Sequence, residues 1–330
     1  MPSNLAGMDV DALVQGVLAA DRRAVARAIS AVEDGADDLE ALSEGLFPST
    51  GRAATIGLTG APGVGKSTLA AGLVRVGRAR DLRAAVLAVD PTSPYTGGAL
   101  LGDRVRMQEH ATDPSVFIRS MATRGHLGGM ALAAPEAVRI LDAAGYDRVI
   151  VETVGVGQAE VDVAAATDTA VVVLAPGMGD AVQMAKAGIL EVADVFVVNK
   201  ADREGAPDVM RELRQMLHLG AARSWDPPVL AASATENDGI EEVWDAIETH
   251  RAHLDASGAL GDKRRARLLR EVEALAAARF RIEVAKALEA DPDLADDLVE
   301  RRTDPYRAAA MLVGRAAVEP RAGRPAQETS

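Results

Sequence analysis

Short, almost unbroken apolar runs alternate with longer amphipathic ones through the middle of the chain. The runs at residues 54–59, 84–89, 116–120, 148–153, 169–175, 195–198 and 229–232 are built mainly from Val, Ile, Leu and Ala and have the length of strands. Continuous apolar character is what a parallel strand needs when helices cover both faces of its sheet. The segments between them are helix-prone. The pattern therefore predicts an α/β fold with a doubly wound, largely parallel sheet, which binds ligands at the carboxyl ends of its strands.

Both flanks read as helical. Asp21 can cap a helix over residues 22–32, a short helix is expected near residues 38–47, and Pro48-Ser49-Thr50-Gly51 marks a boundary. Beyond about residue 255, residues 263–289 contain neither Gly nor Pro and predict a long helix; Pro292 and Pro305 then open two shorter ones. Leu268, Leu269, Val272, Leu275, Ala276, Phe280 and Val284 recur along the long helix at helical spacing and need an apolar partner, either the chain's own domain or a second subunit. The expected division is an N-terminal helical extension over 1–52, an α/β domain over 53–255, a C-terminal helical arm over 256–318 and a disordered tail over 319–330.

Composition narrows the chemistry. The 330 residues are 48% hydrophobic but only 3% aromatic, so the core must pack small aliphatic side chains closely. A formal charge of −13 argues against a broad nucleic-acid or anionic-membrane surface. The chain has no cysteine, which removes disulfides, thiolate metal sites and cysteine catalysis. Its five histidines do not cluster as ligands; His250 and His253 are helix-spaced and are expected at the surface. The first residues show neither a basic segment nor an apolar one, and no run approaches a membrane span, so the expected location is cytoplasmic.

The strand at 54–59 runs into Gly60-Ala61-Pro62-Gly63-Val64-Gly65-Lys66-Ser67, a complete G-x-x-x-x-G-K-[ST] phosphate loop, and a helix-prone segment starts at Ser67-Thr68. Its glycines allow backbone N–H groups to face phosphate oxygens, Lys66 adds a charge and Ser67 a hydroxyl suited to magnesium. Asn199-Lys200-Ala201-Asp202 supplies a guanine-reading N-K-x-D later in the chain, and the two motifs together specify a GTPase. Asp90 ends one strand run and Glu152 another, in the place of a Walker-B acid; Gly155 could approach the γ-phosphate. The Gly-rich stretches over 97–107 and 120–129 suit mobile loops or simple turns equally well. Gln158 could orient water or begin a helix.

The ordered set Gly-Ala-Pro-Gly-Val-Gly-Lys-Ser-Thr, Val-Asp-Pro-Thr-Ser-Pro, Gly-Asp-Arg-Val-Arg-Met, Arg-Ser-Met-Ala-Thr-Arg-Gly, Glu-Thr-Val-Gly-Val-Gly-Gln and Asn-Lys-Ala-Asp closely resembles the MeaB/ArgK family over about residues 21–310. These are accessory GTPases of adenosylcobalamin-dependent acyl-CoA mutases, principally methylmalonyl-CoA mutase. The resemblance implies a GTPase core between an N-terminal helical extension and a C-terminal dimerisation arm, with GTP/GDP and Mg2+ as cofactors and a mutase and a second copy of the chain as partners. By motif, residues 60–68 hold phosphates, while Ser67, Asp90, Asp103 and Glu152 form the magnesium and switch neighbourhood, with Lys66, Asp103 and Glu152 serving catalysis. Asn199, Lys200, Asp202, Ser233, Ala234 and Thr235 surround guanine. A further switch at residues 176–183, continuing to Lys186, implies partner contacts through Asp180, Gln183 and Lys186; the chain departs from the family pattern there at Met178 and Ala181.

Three other readings compete with a mutase chaperone. A nickel- or cobalt-delivery GTPase would usually display Cys or His ligands. A transport-linked kinase would transfer phosphate to a protein. A binding module with a dead site is disfavoured by intact Lys66, Ser67 and Glu152.

Overall fold

A computed structural model describes residues 9–36, 38–90, 110, 112–122, 130–153, 163, 165–177, 189–219 and 224–318. In chain order the described elements are helices α1 (Val10–Leu18), α2 (Arg22–Asp34) and α3 (Leu39–Leu46), strand β1 (Ala54–Thr59), α4 (Lys66–Ala79), β2 (Ala84–Asp90), β3 (Val116–Ala122), α5 (Met130–Ala143), β4 (Arg148–Thr153) and β5 (Thr169–Leu174). There follow α6 (Ile189–Val192), β6 (Val195–Asn199), α7 (Ala206–Leu219), β7 (Val229–Ala232), α8 (Ile240–Ser257), α9 (Ala259–Glu289), α10 (Asp293–Val299) and α11 (Pro305–Val318). The strands form one sheet of seven, in the order β3-β2-β4-β1-β5-β6-β7, and every pairing is parallel. β1 lies between β4 and β5, so the chain leaving it enters the centre of the sheet's carboxyl edge.

Burial explains the unbroken apolar runs. Every residue of β1, β5 and β6 is buried, because helices lie on both faces. α4 and α8 cover one face through Leu69, Leu73, Val74, Val243, Trp244 and Ile247, against Ile56, Leu58, Ile150 and Val171. α5 and the N-terminal helices cover the β2–β4 region of the other face, where Val25, Ile29 and Leu46 share a core with Leu87, Phe117, Ile140 and Val151. Asp21 caps α2 by accepting from the Arg23 N–H at 2.8 Å. Arg119 on β3 ties that helix down, donating to the Ala26 carbonyl at 3.1 Å and the Ser30 hydroxyl at 2.9 Å. The buried carboxylate of Asp142, near the end of α5, accepts from the N–H groups of Arg52 and Ala53 at 3.2 and 2.9 Å, which fixes where β1 begins.

His250 is not at the surface as its spacing with His253 suggested. It is 1% exposed, because it falls on the buried stripe of α8 with Val243, Trp244, Ile247 and Leu254, and its polar atoms are satisfied there. Nδ1 pairs with Thr169 Oγ1 at 2.9 Å, Nε2 lies 3.3 Å from Asp194 Oδ1, and Trp225 packs on the ring with centroids 4.9 Å apart.

The chain divides into two units, Met1–Leu269 and Arg270–Ser330. The first holds the sheet. The second is helical, with a small core in which Leu294, Ala308 and Leu312 pack with Val284, Ala287 and Leu298. Pro292 precedes α10 and Pro305 begins α11, positions where a missing N–H costs a helix nothing.

Candidate nucleotide-binding site

The loop at residues 60–65 joins β1 to α4 and is pressed from both sides. Gly60 (φ 139°) and Gly65 (φ 99°) take backbone conformations that side chains disfavour, and a Cβ would stand 2.1 Å from the Val173 carbonyl oxygen at the first and 2.3 Å from Asn199 Nδ2 at the second. Lys66 is 6% exposed, and its Nζ donates to the Gly60 carbonyl at 2.6 Å and the Ala61 carbonyl at 3.1 Å. Both of these acceptors are neutral carbonyl oxygens, and anionic phosphate oxygens would be stronger ones. The start of α4 adds the positive end of a helix dipole.

Ser67 lies in the first turn of α4, and its hydroxyl donates to Glu152 Oε1 at 2.6 Å. Both side chains are buried, at 4% and 2% exposure, and Glu152 reaches this position because β4 lies in register beside β1, opposite Leu58. A hydroxyl and a carboxylate side by side are hard oxygen donors and fit the ligand preference of magnesium, which keeps several waters and needs few protein groups. Asp90 closes β2 on the same edge of the sheet, beyond the Val89 register position paired with Thr153. Thr68 follows in α4, partly exposed.

The second motif closes on the first. Asn199, at the end of β6, donates through Nδ2 to the Val64 carbonyl at 2.8 Å and accepts at Oδ1 from the Ala234 N–H at 3.0 Å. Lys200, in a left-handed conformation (φ 58°), donates to the Gly63 carbonyl at 2.6 Å. Asp202 is exposed, with Oδ1 fixed by the Ser233 hydroxyl at 2.8 Å. Ser233 and Ala234 are buried just after β7, and Thr235 is exposed beside them. A planar base lying against this rim would meet a carboxylate acceptor that the Ser233 hydroxyl holds in place.

Thus Gly60, Ala61, Pro62, Gly63, Val64, Gly65, Lys66, Ser67, Thr68, Glu152, Asn199, Lys200, Asp202, Ser233, Ala234 and Thr235 gather on the carboxyl edge of β1, β4, β6 and β7. Asp103, Gly155, Gln158, Asp180, Gln183 and Lys186 lie outside the described residues, as does the side chain of Asp90. Among the described residues no group of three or more His, Asp or Glu could hold a metal ion, and no helix is long and apolar enough to cross a membrane. Sequence reasoning missed a buried ionic cluster on the opposite edge of the sheet, where Asp168 meets Arg264 and Arg267 at 2.6 and 3.3 Å. Its partners are about a hundred residues apart, and no motif announces them.

Comparison with known proteins agrees with this geometry. Residues 25–289 match the family described as methylmalonyl-CoA mutase-associated GTPase MeaB. A protein of Pyrococcus horikoshii designated a GTPase is 46% identical over 92% of this chain and 97% of its own length. The Escherichia coli GTPase ArgK is 41% identical over 73% of this chain and 75% of its own. The methylmalonic aciduria type A homolog of mouse mitochondria is 37% identical over 77% of this chain and 66% of its own. The crystal structure of an LAO/AO transport system kinase superposes with a TM-score of 0.68 at 26% identity, covering 94% of this chain and 99% of that one. GTP binding and hydrolysis follow from this kinship and from the intact phosphate loop. The chain belongs to the MeaB family of P-loop GTPases.

Proposed function

We propose that this GTPase is a chaperone of an adenosylcobalamin-dependent acyl-CoA mutase, methylmalonyl-CoA mutase first among them. It would gate cobalamin loading and protect or reactivate the mutase, using the nucleotide as a timer. The observation that carries the reading is the joined site: the Ser67–Glu152 pair lies on one side of the phosphate loop, and Asn199 and Lys200 hold it on the other, so the phosphate and guanine motifs meet. The family's description as mutase-associated supports a mutase as the protein on which it acts, and the name of the mouse relative, which refers to methylmalonic aciduria, is in keeping with that.

In this reading the N–H groups of residues 60–68 hold the phosphates, Lys66 neutralises them and Asp202 reads guanine, with Ser233, Ala234 and Thr235 around the base. Ser67, Glu152, Asp90 and Asp103 hold or orient magnesium and its waters, and the ion when bound supplies positive charge to the phosphates. Asp180, Gln183 and Lys186 face the mutase. The protein works in the cytoplasm as a homodimer joined through α9, on which Leu269 and Val272 are each 61% exposed.

Cobalamin transfer tests this. Adenosylcobalamin delivered to apo-mutase is followed by its absorbance, with this protein present in its GTP-, GDP- and nucleotide-free states. The reading expects transfer to depend on which nucleotide is bound. Transfer that is the same in all three states, and the same without the protein, contradicts it.

A further inference from the structure

The segment between β7 and α8 is a closed loop beside Asp202. Ser233 and Asp238 pair as an antiparallel bridge, the Ser233 N–H donating to the Asp238 carbonyl at 2.9 Å and the Asp238 N–H to the Ser233 carbonyl at 3.2 Å. The Glu236 N–H also donates to the Ser233 carbonyl, at 2.9 Å, which makes residues 233–236 a turn. Asn237 follows in the left-handed conformation (φ 60°) that completes such a loop, and Asn enters that conformation more readily than most residues that carry a Cβ. Gly239 ends the loop at φ 74°, where a Cβ would stand 2.3 Å from the Ala231 carbonyl oxygen, so the chain is pressed onto β7 as it enters α8.

At its start the loop holds both ends of the Asn199–Asp202 motif: Ser233 Oγ donates to Asp202 Oδ1 at 2.8 Å, and the Ala234 N–H donates to Asn199 Oδ1 at 3.0 Å. At its far side, Asn237 Oδ1 accepts from Arg75 Nη1 of α4. Lys66 opens that same helix, so the pair ties the loop to the helix that follows the phosphate loop. Two glycines let the helices approach closely enough. A Cβ on Gly72 would stand 3.1 Å from Ile240 Cγ2 at the start of α8, and one on Gly77 would stand 2.9 Å from the Trp244 ring. Arg75 follows Gly72 by three positions and shares its face of α4. Thr235, Glu236, Asn237 and Asp238 are all exposed, whereas Arg75 is half-buried. Backbone hydrogen bonds open to water restrain a loop only loosely, and a side-chain anchor from a packed helix restricts it further.

We propose that Arg75 is a positioning residue for base selectivity: by holding Asn237 it fixes the 233–238 loop, and through Ser233 the carboxylate of Asp202. Guanine offers an N1–H and an exocyclic amine side by side, and a carboxylate accepts both well only when it is held near their plane. Adenine presents no such pair, so a looser loop weakens guanine binding and leaves adenine binding unchanged. The inference rests on the reading that Asp202 faces guanine, and goes beyond it by placing part of the selectivity on α4.

Competition binding of GDP against ADP on the full chain, with urea midpoints taken on the same samples, tests this. Arg75→Met should reduce the preference for GDP by about 3- to 10-fold, the span of one ordinary side-chain hydrogen bond. Asn237→Gly, which keeps the left-handed backbone but loses the acceptor, should do the same. The double variant should lose no more than either single one, since both remove one contact. Arg75→Lys, which keeps a donor, should retain most of the preference, and ADP affinity should hold throughout. Asp202→Asn is the reference. A wild-type preference in Asp202→Asn removes the guanine reading and the proposal with it; a preference lost there but unchanged in Arg75→Met and Asn237→Gly overturns the proposal alone. Equal weakening of GDP and ADP, lower urea midpoints at an unchanged ratio, or losses that add in the double variant also overturn it.

Discussion

Ser67 Oγ donates to Glu152 Oε1 across 2.6 Å, joining the first turn of the helix after the phosphate loop to the end of β4. The two residues are 85 positions apart in the chain and meet because β1 and β4 are neighbours in the sheet. Anything that changes the ligands of one must be felt by the other.

Glu152→Gln keeps the shape of the side chain and its acceptor for Ser67 but removes the charge. We expect GTP hydrolysis to fall about 10²-fold or more, since metal-linked charge stabilisation is worth several kcal/mol, while GDP affinity changes little. Lys66→Ala should instead remove tight triphosphate binding. Single-turnover hydrolysis and calorimetry distinguish the two effects; wild-type turnover in Glu152→Gln is the contrary result.

Base selectivity should reside in Asp202. A charged hydrogen bond contributes ~1.5–3 kcal/mol, so Asp202→Asn is expected to reduce the preference for GTP over ATP by about 10- to 150-fold. Ser233→Ala, which frees the Asp202 carboxylate from its 2.8 Å anchor, should erode the preference less. Competition binding with both nucleotides measures each ratio. Equal wild-type affinity for ATP and GTP would refute the assignment.

Stability should decline on acidification from about neutral pH. Burial holds His250 below its ordinary pKa of 6.5, against the opposing pull of Asp194. The unfolded chain therefore binds a proton more readily than the folded one, and stability rises with pH between the two values. The contribution is complete above 6.5 and is lost as pH falls through the lowered folded value. Urea midpoints at pH 7.5 should exceed those at pH 5.5, and His250→Gln should flatten the difference. The Asp168 carboxyl, lowered from its ordinary 3.8, adds a separate loss at still lower pH. An identical pH slope in wild type and His250→Gln would rule out this histidine as the source.

Association should depend on α9. Leu268, Leu269, Val272, Leu275 and Phe280 are 39–61% exposed on it, far more apolar surface than a solvated helix carries without a partner. Leu269→Asp with Val272→Asp should produce a monomer that still binds GDP. Light scattering decides; a wild-type monomer at micromolar concentration would exclude pairing through this helix.

How legible this was from sequence differs by level. The edges of β1, β4 and β7 could be read to the residue, because each is a dense apolar run bounded by charged or Gly/Pro-bearing segments. The phosphate loop and Asn199 were legible because phosphate and guanine recognition each demand fixed residue types at fixed spacing. What the sequence did not show is that these motifs hold each other, since the contact from Asn199 Nδ2 to the Val64 carbonyl depends on strand order. α1 was overlooked: its Gly16 interrupts the pattern, yet that glycine is where a Cβ would stand 2.7 Å from Ala24 of α2. The burial of His250 is hidden in the sequence because His253 and the polar residues that follow it have the character of a solvated face, while His250 itself falls on the buried stripe of α8. The Asp168 cluster joins residues about a hundred positions apart through ion pairs and hydrogen bonds, which leave no periodic trace.

The central claim is that GTP occupancy and mutase binding are linked. Titration of the cognate mutase against this protein, loaded either with GDP or with a non-hydrolysable GTP analogue, measures that linkage in one experiment. The account predicts affinities that differ by about 5- to 150-fold, with nucleotide affinity shifted by the same factor when mutase is bound. Equal mutase affinity in the two states, or no binding in either, would contradict it.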